Sequence, residues 1–221
     1  FSKKRIDRML NHSPALAKRL SPRGHDNNVH DKIFRAGNYL GIKWPSKNVM
    51  ASSDFKFVLI TDFDRLAEDV GGEGDPFTLA SKRTQTFGST GMTMAESSPG
   101  REITDPTWRQ PEDCPHMAPP TTGILDLYNR GDRRRWYWQC PEKQCREWFQ
   151  PIQANFNMNS RAVFCPHCAS EISPAKKKQL NLKGRWVPEG CSLTADGDLA
   201  GEPRSCRIAS FWMEGPAAAY Q

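Results

Sequence analysis

The clearest pattern of apolar and polar positions lies in the first half of the chain. Residues 55–61, FKFVLIT, form a short apolar run rich in β-forming side chains, which predicts a buried strand. Asp62 and Asp64 stand at its carboxyl end, and a short helical turn and a glycine-rich loop come next. Residues 76–87 then predict a helix, and residues 91–97, GMTMAES, predict a second strand. A strand, an acidic loop, a helix and a strand in this order predict an α/β fold with parallel strands.

Weaker patterns precede this unit. Apolar residues recur between positions 3 and 20 and are interrupted at Ser13 and Pro14. This predicts two short helices, with Ser13 as the cap and Pro14 at the first helical position. Residues 38–44, NYLGIKW, alternate well enough to predict a strand.

A long stretch without periodicity separates this half from the rest. Residues 100–123 are rich in proline and predict a linker or an extended arm. The aromatic segments RRWYWQC and EWFQP, which follow, predict strands. Residues 187–207 predict a loop because glycine, proline and acidic residues dominate, whereas RIASFWM near the end predicts a final strand.

Composition limits the class of protein. Only 37% of the 221 residues are apolar, and 17 prolines and 16 glycines predict many turns around a loose core. The sequence has no apolar run of about 18 residues, the length that a transmembrane helix needs, and no signal-type apolar stretch near its start. We therefore expect an intracellular, cytoplasmic protein with no membrane partner. In a reducing compartment its cysteines should be thiols or metal ligands.

Positive charge is concentrated in three places. The net charge is +6, and the first fifty residues contain eleven lysines and arginines against three aspartates. Further basic clusters lie at residues 130–135 and 176–178. This asymmetry favours a polyanionic partner such as DNA or RNA. Any single cluster is equally consistent with a solvated basic surface.

Four cysteines have the spacing of a zinc site. Cys140 and Cys145 are separated by four residues, Cys165 and Cys168 by two, and nineteen residues lie between the pairs. Two close pairs around a short β-rich insert form the zinc-ribbon pattern, in which four thiolates converge on a tetrahedral ion. Such a closed site has no open position for substrate, so we expect a structural zinc ion that stabilises a small module.

Other interpretations of these cysteines remain open. The same residues are compatible with four unrelated buried thiols, and His167, between two of them, could compete for the metal. Cys114, Cys191 and Cys206 lack a partner pair and are interpreted as free thiols.

Three arginines, Arg133, Arg134 and Arg135, adjoin the aromatic residues beside the first cysteine pair. They are candidate nucleic-acid contacts, because bases stack on aromatic rings and cations pair with phosphates. Packing inside the ribbon is the more frequent use of such aromatic residues, and both interpretations are retained.

The acidic strand end is the geometry of a Walker B element, in which one acid orients magnesium and another polarises the attacking water during nucleotide hydrolysis. VLITDFD alone is a weak signal, since many surface turns after strands carry aspartate. The order of its neighbours adds specificity: GEGDPFTLASKRTQTF, a strand ending in ESSPG, LYNRGDRRRWYWQCP, CPHC and LKGRW follow in turn. In this arrangement the chain resembles the large subunit of tailed-phage terminases of the GpA type, most densely at residues 57–100 and 124–186.

Members of that family are motors that use ATP to pump viral DNA into a preformed capsid and cut the concatemer with a nuclease domain. The resemblance implies an ATPase and endonuclease in the parent protein, with ATP and Mg²⁺ as cofactors beside the structural zinc. It implies double-stranded DNA, a terminase small subunit and the capsid portal as partners. It also implies a location in the bacterial host cytoplasm, transiently at the viral procapsid.

The resemblance assigns roles to particular residues. Asp62 and Asp64 lie on the segment that matches the family's Walker B element and are the candidate catalytic acids. Ser97 and Ser98 match the segment that couples hydrolysis to movement, with an ordinary turn as the alternative. Arg83 is a candidate phosphate contact or a solvated helix position, and the four cysteines match the zinc-binding insert.

The chain departs from the family pattern in two respects. The family has Asp-Glu at the end of the acidic strand, where residues 61–64 here read TDFD. Either Asp62 replaces the catalytic acid, or the register is shifted and Asp62 is the magnesium acid. The sequence also lacks G-x-x-x-x-G-K-[ST]. A phosphate loop is therefore expected upstream of Phe1, and nuclease carboxylates are expected downstream of Gln221.

The predicted organisation has three parts. A partial P-loop-type ATPase core covers residues 1–123, a β-rich zinc ribbon covers 124–186, and a connector toward a nuclease domain covers 187–221. We expect this chain alone to be inactive. The rival interpretation is a non-catalytic zinc-ribbon module that binds nucleic acid, which the basic clusters and aromatic residues support equally well.

Overall fold

The computed structural model describes residues 2–218. They separate into two compact units. The first consists of the residues up to Ile60 together with Leu66–Ala95, and the second of Thr61–Arg65 together with the residues from Glu96 onward. This division falls earlier in the chain than the expected boundary after residue 123. The last three residues of the expected 187–221 connector lie outside the described part.

The regular elements of the chain are short. The α-helices are α1 (Arg8–His12), α2 (Pro14–Ala17), α3 (Lys47–Ala51), α4 (Pro76–Thr84), α5 (Ile124–Arg130) and α6 (Lys177–Lys183). The strands are β1 (Asp31–Ile33), β2 (Tyr39–Gly41), β3 (Phe57–Ile60), β4 (Met92–Ala95), β5 (Arg134–Gln139), β6 (Trp148–Phe149), β7 (Phe156–Asn157), β8 (Ala162–Phe164), β9 (Glu171–Ile172), β10 (Arg185–Val187), β11 (Cys191–Leu193), β12 (Leu199–Gly201) and β13 (Phe211–Trp212). Within residues 2–218, no helix has both the length and the apolar character needed to cross a membrane.

Two parallel strands lie at the centre of the first unit. β3 and β4 pair in parallel, which confirms the strand–helix–strand prediction. The connecting helix α4 packs on one face of the pair, where the hydroxyls of Thr84 and Thr93 lie 3.2 Å apart. The helix starts at residue 76 because the Asp75 carboxylate accepts the backbone N–H of Thr78 at 3.0 Å and proline occupies the first helical position.

The amino-terminal part of the first unit also follows its sequence pattern. Pro14 stands at the first position of α2, with Ser13 as the preceding cap residue, although the Ser13 side chain makes no capping hydrogen bond. Strand β2 confirms a short form of the strand predicted at 38–44 and pairs with β1 in antiparallel fashion. Lys32 of β1 is 1% exposed and forms an ion pair with Asp7 at 2.7 Å.

The second unit is organised around β5. Its sheet has the order β10-β5-β13, and β6 also pairs with β5. A separate three-stranded sheet has the order β7-β8-β9. Trp138, Phe149, Val163 and Ile172 form the apolar core between these elements together with two of the cysteines. Asn181 of α6 closes this core, since its Oδ1 accepts the Trp138 indole N–H at 2.8 Å.

The proline-rich segment is packed at one point, around residues 116–118. No helix or strand lies between β4 and α5, as the lack of periodicity predicts. His116 and Ala118 are nevertheless 2% and 0% exposed. The Tyr128 hydroxyl donates to the His116 carbonyl at 2.9 Å, and the Asn129 amide nitrogen donates to the Ala118 carbonyl at 3.0 Å. The segment therefore packs on α5 at His116 and Ala118.

The predicted loop at 187–207 was wrong. β11 and β12 form an antiparallel hairpin inside it. The turn is closed by the Thr194 carbonyl, which accepts the Gly197 N–H at 3.0 Å, and by the Thr194 N–H, which donates to the Asp198 carbonyl at 2.9 Å. Gly197 has a φ of 88°, a conformation that favours glycine. Asp-Gly between two short strands is a hairpin signal, and the surrounding polar composition concealed it.

Candidate functional site

The structure brings the four predicted zinc ligands together. The sulfur atoms of Cys140, Cys145, Cys165 and Cys168 all lie within 4.8 Å of one another. Cys140 and Cys165 are buried, at 1% and 0% exposure, while Cys168 is exposed. His167 is exposed and lies outside this cluster. The alternative in which His167 competes for the metal therefore has no support in the geometry.

Each cysteine pair sits in a tight turn, and the two turns are built alike. The residue after the second cysteine has a left-handed backbone in both, with φ values of 58° at Arg146 and 57° at Ala169. In the first turn the Cys140 N–H donates to the Glu147 carbonyl at 2.9 Å, and in the second the Cys165 N–H donates to the Ser170 carbonyl at 3.0 Å. Each turn thereby brings the two sulfur atoms of its pair to the same side, where they join the other pair.

The spacing of the sulfurs fits a tetrahedral zinc ion. Zn–S bonds of about 2.3 Å place neighbouring sulfurs about 3.8 Å apart in a tetrahedron. Cys140 and Cys168 are 3.7 Å apart at their sulfurs, and Cys145 and Cys165 are 3.8 Å apart. All four ligands are cysteine sulfurs, the donors that structural zinc prefers. A metal bound here would hold the β5–β6 end of the ribbon to the β8–β9 turn.

The surroundings affect the thiols unequally. Burial raises the pKa of the Cys140 thiol. A hydrogen bond with the Ser170 side chain lowers the pKa of Cys168 to about 6, with Sγ and Oγ 3.4 Å apart. Zinc ligands must be thiolates, so binding releases protons and is weakened by acid.

The acidic loop of the second unit contains the two candidate catalytic acids, one buried and one exposed. Asp64 is 9% exposed. Its carboxylate accepts the backbone N–H of Gly100 at 2.8 Å and of Ile124, the first residue of α5, at 2.6 Å. Gly123 lies so close that a β-carbon there would be 2.3 Å from Asp64 Oδ1. Asp64 thus joins its own loop to two others.

Asp62 is exposed and adopts a φ of 52°. Its backbone N–H donates to Glu96 Oε1 at 3.2 Å, and the next N–H, of Phe63, donates to the Glu96 carbonyl at 3.0 Å. The carboxylate of Asp62 therefore stays at the surface beside a second exposed acid, Glu96.

Ser97 belongs to the same loop arrangement, whereas Arg83 does not. The Ser97 hydroxyl accepts the Asp64 N–H at 3.1 Å and donates to the Ser98 carbonyl at 3.0 Å. Ser98 itself is exposed. Arg83 belongs to the other unit, where its guanidinium donates to the Ala51 carbonyl at 3.3 Å. The structure thus joins Asp64 to Ser97 and Asp62 to Glu96 by direct hydrogen bonds.

Two of the three candidate nucleic-acid arginines are buried. Arg133 is 6% exposed and pairs with the equally enclosed Glu189 at 2.9 Å. Arg135 is also 6% exposed, with its guanidinium 3.6 Å from the centroid of the Trp212 ring. Burial lowers the pKa of Arg135. These contacts favour packing roles for both guanidinium groups.

Arg134 is the more accessible member of the trio. Its side chain is 35% exposed and forms an ion pair with Asp132 at 2.8 Å. Its guanidinium also lies 5.2 Å from the centroid of the Phe211 ring. Phosphate contact through this segment would therefore involve Arg134 in competition with Asp132.

A buried polar chain around His116 had no signal in the sequence. His116 Nδ1 lies 3.0 Å from the Arg133 carbonyl, which accepts only, so Nδ1 carries the proton. Nε2 then accepts from the Tyr137 hydroxyl at 3.0 Å. The Tyr137 oxygen in turn accepts from the Gln150 amide at 2.9 Å. These partners lie 13 to 21 positions apart in the chain, which is why no local motif indicates them.

Comparison with known proteins identifies a family for this arrangement. The model of the family described as "Phage terminase large subunit gpA, ATPase domain" matches residues 1–186. No curated protein and no solved structure matches the chain. The matched range contains both the acidic loop and the four cysteines.

Proposed function

This chain belongs to the phage terminase large subunit gpA ATPase domain family, and from that premise we propose that it supplies the acidic loop and a zinc-bound ribbon of an ATP-driven DNA-packaging motor. The family implies ATPase activity in the parent protein and a role in phage DNA packaging. The observation that carries the proposal for this chain is the parallel pair β3–β4, with Asp62 after one strand and Glu96 after the next. Ligand sites of open α/β sheets lie at the carboxyl ends of their strands.

The bare face of β3 and β4 supports a place inside a larger core. Helix α4 covers one face, but Phe57, Leu59, Met92 and Met94 are 56%, 62%, 46% and 47% exposed. These side chains pair across the two strands, Phe57 beside Met92 and Leu59 beside Met94, and so form one apolar surface. Parallel sheets are normally covered on both faces. We propose that the remainder of the ATPase core covers this surface in the parent protein.

Within the acidic loop we assign the magnesium–water chemistry to Asp62. Its carboxylate is exposed, and oxygen ligands of this kind suit Mg²⁺. Glu96 provides a second carboxylate beside it. Asp64 is occupied by backbone N–H groups, so we assign it to positioning of the loop. Ser97 links the coupling segment directly to this loop through the Asp64 N–H.

The residues present do not include a phosphate cradle, because the sequence has no G-x-x-x-x-G-K-[ST]. We propose that the chain by itself hydrolyses no ATP. Turnover by the 221-residue protein that Asp62→Asn abolishes would contradict this proposal, because it would require a complete site.

We propose a structural role for the ribbon, in which zinc stabilises a module whose core is small. We also propose that nuclease chemistry resides elsewhere in the parent protein. Double-stranded DNA, the small subunit and the capsid portal are the proposed partners, in the host cytoplasm and at the procapsid. The rival module that only binds nucleic acid loses support from the burial of Arg133 and Arg135. We therefore favour the motor.

The test places variants in an intact large subunit that contains this segment. Asp62→Asn should lower DNA-stimulated ATP hydrolysis by about 10²- to 10⁴-fold, the range of acid–base contributions, with zinc content and thermal midpoint unchanged. Asp198→Asn, another exposed acid, is the matched control and should retain full turnover. Equal activity of the Asp62 variant and this control would refute the assignment.

A further inference from the structure

A cavity of about 380 Å³ opens on the zinc ribbon. Its floor is a single row across the three-stranded sheet, since Phe156, Val163 and Ile172 are register partners on β7, β8 and β9. Trp138 and Pro216 contribute further apolar walls. All of these residues belong to the second unit.

This volume is unusual for a small packed module. Protein interiors leave few voids larger than a water molecule, whereas ligand pockets span about 300–1,000 Å³. The cavity thus has the size of a binding site rather than a packing defect. Nothing in the zinc site or the acidic loop uses it.

The charged residues that line the cavity, Arg161 and Lys177, are both cations. Lys177 is half-buried, and burial lowers its pKa. Lys176 and Lys178 flank it and are exposed. Glu171 is not part of the floor row, since its register partner on β8 is Phe164. Its carboxylate accepts the Ser160 hydroxyl at 2.9 Å.

We propose that this cavity receives an aromatic side chain of a partner polypeptide whose neighbouring carboxylates meet Arg161 and Lys177. An apolar floor with two cationic lining residues complements an apolar group flanked by negative charge. The proposal goes beyond the packaging role and does not depend on it.

The surroundings favour a polypeptide over a nucleic-acid base. A base needs an open aromatic face on which to stack; of the two aromatic lining residues, Trp138 is only 1% exposed and Phe156 is half-buried at one end of the floor row. Strand β9 is an edge of its sheet, paired with β8 alone among the described strands. An edge strand offers backbone hydrogen bonds to an extended peptide.

The probe is a fluorescein-labelled peptide of sequence acetyl-Glu-Asp-Trp-Glu-Asp-amide, titrated with the zinc-loaded full chain by fluorescence anisotropy. Saturable binding should weaken at least 10-fold when alanine replaces the peptide's tryptophan. It should also weaken at least 10-fold in the Lys177→Glu protein. Lys178→Glu, the same charge change on the adjacent exposed residue, is the matched control and should weaken binding no more than twofold.

Arg161→Asn provides an independent variant, because asparagine tolerates the left-handed backbone at that position, where φ is 54°. It should also weaken the peptide at least fivefold, with zinc content and circular dichroism unchanged. Equal losses in Lys177→Glu and Lys178→Glu would overturn the proposal, since net charge would then suffice. No saturable binding by the unmodified chain would overturn it too. A labelled single-stranded oligonucleotide that displaces the peptide and depends on Lys177 would reassign the cavity to nucleic acid.

Discussion

Asp62 and Asp64 stand two positions apart in the sequence, and the backbone places their carboxylates in different surroundings. The left-handed conformation of Asp62, with φ at 52°, leaves its carboxylate in solvent. The carboxylate of Asp64 turns inward and accepts N–H groups from Gly100 and Ile124. The sequence left the register of these acids open, since two aspartates this close in sequence cannot be told apart until their hydrogen bonds are known.

Asp64→Asn should therefore lower the free energy of unfolding by about 1–3 kcal/mol, because an amide leaves at least one buried N–H donor without an acceptor. Asp62→Asn should change it by no more than about 0.5 kcal/mol, as at other surface positions. Urea denaturation of the zinc-loaded proteins measures both. Gly123→Ala should resemble Asp64→Asn, because its β-carbon would displace the carboxylate. Equal stabilities of the Asp62 and Asp64 variants would contradict the structural role of Asp64.

His116 should make the second unit sensitive to acid. Burial lowers its pKa below the ordinary 6.5, and the Arg135 charge acts in the same direction, while the hydrogen bond to the Arg133 carbonyl and the Glu189 charge oppose the shift. As pH falls below about 6.5, His116 becomes protonated in the unfolded chain while it is still neutral in the folded chain. The stability that neutral His116 contributes is therefore complete above this pH and is lost as pH falls toward the lowered pKa.

The expected slope attributable to His116 is at most about 1.4 kcal/mol per pH unit, the value for one proton. Urea denaturation at several pH values between 7.5 and 5.5 gives the pH slope of the free energy of unfolding for the unmodified protein and for His116→Gln, and the difference between the two slopes is the part due to His116. Glutamine can still donate to the Arg133 carbonyl, and it has no charge to gain. Zinc release affects both proteins and cancels in the difference. Parallel pH profiles would show that His116 does not titrate on unfolding.

At the scale of elements, the sequence predicted local structure and missed structure that depends on distant partners. β3, α4 and β4 carry their pattern within about forty residues, and their parallel arrangement was predicted correctly. The four cysteines were predicted because ligand spacing is itself local. The pairing of β5 with β13 could not be predicted, since Trp212 lies beside Arg135 across a long stretch of chain. Helices α5 and α6, of seven residues each, were not predicted from the sequence.

The ribbon's two sheets should depend on zinc as one element. Cys140→Ser removes one of four thiolates and should reduce zinc from one per chain to nearly none. It should also abolish cooperative unfolding of the second unit, because zinc binding and folding are coupled in such modules by about 10–16 kcal/mol. Elemental analysis and circular dichroism measure the two effects.

Cys206→Ser is the matched control for that prediction. The Cys206 sulfur is exposed and lies 3.0 Å from the Arg130 carbonyl, a contact that a serine hydroxyl can replace. This variant should keep both zinc and stability. A zinc-free Cys140→Ser protein with an unchanged thermal transition would show that the fold does not need the metal.

For the whole molecule, the placement of charge matters more than its total of +6. From the sequence alone, Arg133 and Arg135 are candidate surface charges. In the structure Arg133 pairs with Glu189, and Arg135 lies against Glu214 and the Trp212 ring. The basic residues of the first fifty behave differently. All but Lys32 are exposed, namely Lys3, Lys4, Arg5, Arg8, Lys18, Arg19, Arg23, Arg35, Lys43 and Lys47. A non-specific DNA contact is therefore better supported for the amino-terminal cations than for the arginine run.

Binding of duplex DNA should be weak, independent of sequence and steeply dependent on salt. We expect dissociation constants of about 10⁻⁴ to 10⁻⁶ M near physiological salt, with a log–log slope of about −0.9 per phosphate neutralised. Replacing Lys18 and Arg19 by glutamine should reduce the magnitude of that slope by about 1.8, or 0.9 for each lost phosphate contact. Replacing Lys176 and Lys178 by glutamine removes the same charge from exposed positions of the second unit and should leave the slope within about 0.5 of its original value. Fluorescence anisotropy at several salt concentrations measures all three proteins, with zinc content as the check on folding. Equal reductions in the two variants would mean that net charge alone attracts DNA, and binding that ignores salt would contradict a phosphate contact by the amino-terminal cations.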